Sequence, residues 1–301
     1  MFYSECVNKF ILYTSAYSSS ATVEYYSINL RMFSEYLDSI KGTYDFDINE
    51  ITKDIYISYI AYQRNRDIKK VSVRTYARAI KVFLRYCFNE GYMNENVTMN
   101  VKFPKSDKKL VVPLSSDVVK ELDSYIFKNT IEKSRNLLIF YLMLDSGLRL
   151  GEVINLNLSD IHLEEKYIVI NNSKNGKSRV VPMSQKVYKY CVLYMACKKV
   201  FIDEAFILDK NNERITKYAI HNMFFKMKSI CKGVHPHLLR HTFATSYIVG
   251  GGSLEKLRVL MGHEDYNVTR QYLHIASQVE FINLDIYKLD DVFFEVYNYR
   301  K

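Results

Sequence analysis

Tryptophan is absent from this chain, and proline and glycine are scarce, at four and ten residues in 301. Set beside abundant Tyr, Lys, Asn and Ile, that scarcity fits an AT-rich coding sequence. The five cysteines (Cys6, Cys87, Cys191, Cys197, Cys231) are odd in number, widely spaced and form no C-x-x-C pair. Such a pattern argues against a disulfide framework or a zinc site and predicts free, mostly buried thiols in a reducing compartment. Long apolar runs are missing too: the longest, Leu137 to Leu144, is far below the ~20 residues that span a bilayer. The first residues, Met1-Phe2-Tyr3-Ser4-Glu5, lack the basic start of a signal peptide. A cytoplasmic location without membrane contact is therefore expected. Acid is in short supply, with 33 acidic against 42 basic residues and a net charge of +9. An anionic partner follows, nucleic acid foremost.

What is present reads as two domains, a count that 301 residues allow. The first hundred residues are predicted helical. Val23 to Ile40 carries Ile28, Leu30, Phe33, Leu37 and Ile40 close to helical spacing, with Ser20 or Thr22 as cap. Val71 to Asn89 repeats the pattern through Ala77, Ile80, Phe83, Leu84 and Cys87, with Ser72 as cap and Gly91 as stop. Between Arg64 and Arg85 stand eight basic residues and one acid, Asp67. The one-signed excess points to a phosphate-contacting face, with Arg74, Arg78, Lys81 and Arg85 as its DNA-binding residues.

Around Pro104 the lysine-rich, aperiodic stretch reads as a linker, which divides the chain into a helical domain 1–103, a linker 104–112 and a second domain 113–301. Ser115-Ser116-Asp117 predicts a new helix start, and Asn136 to Leu144 a core helix ended by Ser146-Gly147. Tyr167 to Ile170 and Arg179 to Pro182 are short β-type runs flanking Asn175-Gly176, a strong hairpin signal. Helical patterns return at Val187 to Val200 and Tyr218 to Cys231. The predicted fold class is mainly α with a small antiparallel β-sheet.

Chemistry concentrates near the C-terminus. His237 and Arg240, three apart after the helix-starting Pro236, project from one helix face and can reach a single phosphate. Arginine offers a planar fork of donors to two phosphate oxygens. Arg149, after the helix end at Gly147, supplies a second clamp, and His263 after Gly262 one more donor. Tyr272 follows nine residues later. Its phenol, with an unperturbed pKa near ~10, needs surrounding cations to attack phosphorus, and two arginines with a protonatable histidine are expected to supply them. His237 and His241 are four apart, yet no H-E-x-x-H pattern or third ligand follows, so no metal site is expected.

With these motifs assembled, the sequence resembles the tyrosine recombinase (phage integrase-like) family, most closely its compact Xer-type members. Ser146-Gly147-Leu148-Arg149-Leu150-Gly151-Glu152 is similar to the family's first-arginine motif. His235-Pro236-His237-Leu238-Leu239-Arg240-His241-Thr242-Phe243-Ala244-Thr245 is similar to its His-x-x-Arg box. Leu260-Met261-Gly262-His263-Glu264-Asp265 and Arg270-Gln271-Tyr272-Leu273-His274 resemble its closing histidine and nucleophile boxes. Residues 173–182 look like its β-hairpin, and the N-terminal helices like its core-binding domain, so the likeness covers nearly the whole chain.

The resemblance implies a two-domain DNA clamp that recombines DNA at specific sites. Tyr272 would attack a DNA phosphate, giving a 3′-phosphotyrosine and a free 5′-hydroxyl. Arg149, His237, Arg240 and His263 would stabilise the transition state, and Lys174 would protonate the leaving oxygen. Lys177, in the same loop, is the alternative donor, or else a contact to the DNA backbone. The family has glycine straight after its lysine, where this chain has Asn175. Glu152 is expected to partner an active-site cation. No cofactor is expected, because the covalent link conserves bond energy. Partners would be a double-stranded recombination site and a homo-oligomer, four protomers on two sites, or a related recombinase. The aromatic tail (Phe281, Tyr287, Phe293, Phe294, Tyr297) either packs on a neighbouring protomer or closes its own domain. Two rival readings are a type IB topoisomerase-like enzyme and a catalytically silent DNA-binding regulator.

Overall fold

The computed structural model describes residues 1–43, 45–104, 111–129, 132–171, 178–198, 204–282 and 284–289. The chain divides into two compact units, Met1–Lys109 and Leu110–Lys301.

The first unit is built on four helices: α1 (Tyr3–Tyr17), α2 (Ser20–Lys41), α3 (Lys53–Asn65) and α4 (Lys70–Asn89). In α4, Val73, Ala77, Ile80, Leu84 and Cys87 recur every three or four residues and are all buried. Each large apolar side chain so buried contributes about 1.5–3 kcal/mol. The helices begin slightly before the positions predicted. Ser19 rather than Ser20 is the cap residue of α2, and Ser72 lies inside the first turn of α4. Gly91 follows the end of α4 at φ 72°, a left-handed conformation that suits glycine. On the solvent side of α4, Arg74, Arg78 and Arg85 are exposed. Lys81 is half-buried, its ammonium 5.1 Å from the Phe103 ring.

The second unit contains α5 (Ser116–Asn129), α6 (Lys133–Leu144), the single-turn α7 (Leu150–Ile154), α8 (Gln185–Lys198) and α9 (Lys217–Met227). It ends with α10 (Pro236–Val249), α11 (Leu254–Met261) and α12 (Tyr266–Phe281). Every residue of α6 from Asn136 to Leu144 is buried, because α5, α8 and α10 pack around it. A three-stranded antiparallel sheet, β1 (Ile161–His162), β2 (Tyr167–Ile170) and β3 (Arg179–Pro182), runs in sequence order. Ile168 faces Val181 and Ile170 faces Arg179 across the β2–β3 ladder. The two-residue β1 is too short to announce itself in the sequence. The hairpin tip, 172–177, lies outside the described residues, and Lys174 and Lys177 lie outside with it. The same holds for 105–110, most of the predicted linker.

The fold is therefore mainly α with one small antiparallel sheet. Among the described residues, no helix is long and apolar enough to cross a membrane, and no group of three His, Cys, Asp or Glu could hold a metal.

Candidate active site

Three stretches distant in sequence meet in the second unit: the turn after α6, the start of α10, and the α11–α12 junction. Gly147 makes the turn possible. Its φ is +63°, and a Cβ there would lie 2.4 Å from the Phe243 ring. Two residues on, Arg149 is the N-cap of α7, where its backbone N–H donates to Glu152 Oε2 at 2.7 Å.

Glu152 is the hub. Its Oε1 accepts from Arg149 Nη1 and Arg179 Nη1, both at 2.8 Å, and its Oε2 also accepts from Arg179 Nη2 at 2.8 Å. Arg240 Nη1 stands 4.0 Å away. Burial alone would raise this carboxyl, but the hydrogen bonds and charge of Arg179, followed by Arg149, outweigh it and hold the group at about 2. A bidentate, fully bonded carboxylate of this kind orients guanidiniums and has no spare lone pair for a base role.

Helix α11 supplies the opposite wall. Its last carbonyls lack partners within the helix, and each takes a different arginine. Leu260 O accepts from Arg179 Nε at 2.8 Å, Met261 O from Arg240 Nη2 at 2.6 Å and Gly262 O from Arg149 Nη2 at 3.1 Å. The partial negative charge of a helix C-terminus suits three cations. Gly262 ends the helix in the left-handed region (φ +60°), with Arg179 close enough that a Cβ would meet Nη1 at 3.1 Å. The Gly147 carbonyl also accepts from Arg240 Nη1. Burial, then the neighbouring Arg149 charge, push Arg240 down to about 9, which leaves it charged at neutral pH.

His263 is neutral here. Arg240 Nη2 can only donate, so the His263 Nε2 at 3.1 Å accepts, and the proton sits on Nδ1 facing Thr269 Oγ1 at 2.9 Å. Burial, reinforced by Arg240, lowers its pKa to about 4. His237, at the start of α10, and the half-buried His241 are also shifted down, chiefly by partial loss of water around their rings. In the DNA-free protein the positive field therefore comes from the guanidiniums. Three of them against one carboxylate leave two net positive charges beside the buried Tyr272.

Asp265 caps α12, accepting from Asn267 N–H at 2.8 Å, and so sets the helix that carries Tyr272. The Tyr272 ring stacks near-parallel to His263 with centroids 6.5 Å apart and tilts against His241 at 5.4 Å. It is 3% exposed. Burial raises the phenol above its ordinary value even though Arg240 and Arg149 pull it down. The phenol is therefore not pre-ionised in the free protein.

Of the predicted catalytic residues, Arg149, His237, Arg240, His263 and Tyr272 come together, whereas Lys174 lies outside the described residues. Sequence reasoning missed Arg179. The period-two alternation of β3 was the available signal, since it places residue 179 on the same inward face as Val181. Thr269, fully buried behind His263, had no distinguishing signal.

The family pattern described as "Phage integrase family" matches residues 126–278, and that described as "Phage integrase SAM-like domain" matches residues 3–103. The chain belongs to the phage integrase family. Among curated relatives, it is similar to tyrosine recombinase XerD of Listeria monocytogenes serotype 4b (strain F2365), at 26% identity over 268 residues, covering 86% of this chain and 89% of that one. It is also similar to tyrosine recombinase XerC of Proteus mirabilis, at 27% identity over 270 residues, covering 86% and 85%. Among solved structures, this integrase-family chain shares its fold with the Tn1549 transposon integrase in complex with a circular intermediate DNA (TM-score 0.74, 17% identity, 94% of this chain and 99% of that one). A lambda integrase dimer bound to a COC′ core site shows the same fold (TM-score 0.72, 17% identity, 90% and 95%).

Proposed function

We propose that this protein is a site-specific DNA recombinase that cleaves and rejoins strands through a 3′-phosphotyrosine. The supporting observation is the convergence of Tyr272, His263, Arg240 and Arg149 from separate stretches of one chain onto a site with net positive charge. A scissile phosphate would occupy the space beside Arg149, whose side chain is 30% exposed and has donors to offer. The phosphate's charge would offset the guanidiniums and raise His263 and His237 toward protonation, so the pocket would complete itself on binding. The phenol oxygen attacks phosphorus, the 5′-oxygen leaves as a hydroxyl, and the phenol proton passes to solvent or an imidazole. Lys174 would protonate the leaving oxygen, with Lys177 as the other candidate in that loop.

The helical domain 1–103 and the catalytic domain 113–301, joined by the linker 104–112, would each contact the duplex, with Arg74, Arg78, Lys81 and Arg85 on its phosphates. Four protomers on two sites, identical or paired with a related recombinase, would exchange strands.

Covalent trapping tests this reading. Wild type and Tyr272→Phe are incubated with nicked duplexes tiled across the DNA flanking the gene, and adducts resistant to denaturant are recovered and sequenced. Wild type should capture one defined sequence by its 3′-phosphate, and the Phe variant none. An adduct formed by Tyr272→Phe, or none formed by wild type, overturns the assignment. Capture without sequence preference, with relaxation of supercoiled DNA, would favour a topoisomerase.

A further inference from the structure

Beyond α12, Leu284 N–H donates to Val279 O at 3.0 Å, and residues 284–289 form a strap, without helix or strand, packed on the second unit. The strap is seated by both backbone and side chain. Tyr287 N–H donates to Leu114 O at 2.8 Å, Ser116 Oγ to Ile286 O at 3.2 Å, and Ser246 Oγ of α10 to Tyr287 O. Ile286 and Tyr287 are each 5% exposed. Of the predicted aromatic tail, then, Tyr287 packs in its own protomer, Phe281 is exposed, and Phe293, Phe294 and Tyr297 lie outside the described residues.

The Tyr287 hydroxyl does more than packing requires. It donates to Asp145 Oδ1 at 2.8 Å and accepts from Lys186 Nζ at 2.8 Å. The Lys186 ammonium also lies 4.8 Å from the Tyr287 ring and 5.0 Å from that of Tyr141. Asp145 is fully buried, and its other oxygen accepts from Ser184 Oγ at 2.9 Å. A carboxylate in that position depends on its donors, because an unsatisfied buried charge is among the costliest features a fold can carry. Asp145 is also the C-cap of α6 and so the first residue of the turn that presents the Gly147 carbonyl to Arg240 and carries Arg149. The strap is meanwhile tied to the helix of Tyr272 through the Leu284 N–H to Val279 O bond.

We propose that Tyr287 is a positioning residue for strand cleavage: through Asp145 its hydroxyl ties the segment behind the nucleophile helix to the turn that holds both arginines in register. The proposal rests on the recombinase reading given above. Losing the hydroxyl leaves Asp145 with one donor fewer and Lys186 without its acceptor. The turn then relaxes, and displacement by a fraction of an ångström suffices to slow a reaction that depends on aligned groups.

Tyr287→Phe tests this, because the ring and its packing remain. With a nicked duplex carrying the sequence recovered by trapping, the protein concentration for half-saturation should stay within about twofold of wild type. The single-turnover rate of adduct formation at saturation should fall about tenfold or more. In the DNA-free protein, hydrogen exchange across 145–151 should quicken, with 73–87 in the first unit unchanged. An unaltered cleavage rate, a rate loss matched by weaker binding, or unchanged exchange at 145–151 would each overturn the proposal. The exchange measurement requires no DNA. If wild type forms no adduct, the recombinase reading fails, and exchange alone decides whether Tyr287 holds the turn.

Discussion

The two units bury different chemistry. In the first, the core is an aromatic mesh: Tyr3 packs against Phe33, Phe46 and Phe83 at 6.2, 5.8 and 5.8 Å, and Phe33 meets Tyr59 edge-on at 4.8 Å. Among the described residues its buried polar side chains, Thr14, Asn29, Gln63 and Thr98, are all uncharged, and no charged residue is buried. The second unit buries Asp145, Glu152, Asp160, Arg179 and Arg240. A fold does not need interior ions, since a well-packed apolar residue of similar volume often serves stability as well or better. The cluster of Glu152, Arg179 and Arg240 beside Tyr272 marks the place where stability has been traded for a pre-arranged positive field.

Removing the central counter-charge should break that contrast most severely. Glu152→Ala leaves Arg179 and Arg240 buried without their shared partner and should destabilise the second unit by about 3–5 kcal/mol. Gln63→Ala, an equally buried but neutral site in the first unit, should cost only about 1 kcal/mol. Denaturant unfolding of both variants measures the difference. Equal losses would mean that the buried charges are no special liability.

A smaller effect separates two glycines with nearly the same backbone. Gly147 and Gly42 have φ of +63° and +73°, but a Cβ at Gly147 would strike the Phe243 ring, whereas Gly42 has open space around it. Gly42→Ala should cost about 1 kcal/mol from backbone strain alone. Gly147→Ala adds overpacking, for about 2–4 kcal/mol in all, and should also slow cleavage by shifting Arg149. Melting temperatures for the pair provide the check, and equal shifts would show that the Phe243 contact gives way.

The gentlest probe is acid. All seven histidines lie between His162 and His274, so only the second unit carries them. His263 has a folded pKa of about 4 against 6.5 for the free group. Between those values the unfolded chain binds the extra proton, so stability falls as pH drops from 6.5 to 4 and is unaffected by His263 above that window. Glu152, held at about 2 against 4.5, adds a further loss once pH falls below 4.5. Hydrogen exchange followed from pH 7 to 4.5 should therefore loosen the second unit first, and His263→Asn should flatten that response. Simultaneous loosening of both units would refute the assignment.

Much of this was legible in the linear sequence. The helical periodicity of α2 and α4, the β-runs of β2 and β3, and the arginine, histidine and tyrosine motifs all depend on local spacing, and local spacing is written in the chain. Boundaries slipped by a few residues because capping depends on where the preceding loop enters. The pairing of Arg179 with Glu152 was not legible, nor was the convergence of three arginines on the last carbonyls of α11, because each links positions between 21 and 113 residues apart. The protonation states of His263 and Tyr272 were not legible for the same reason. A side chain's type sets its ordinary pKa, but only the packed interior decides how much water it loses and which charges stand beside it. Sequence alone determined which groups could act on a phosphate; the tertiary structure decided which of them are charged, and which are held still, before the phosphate arrives.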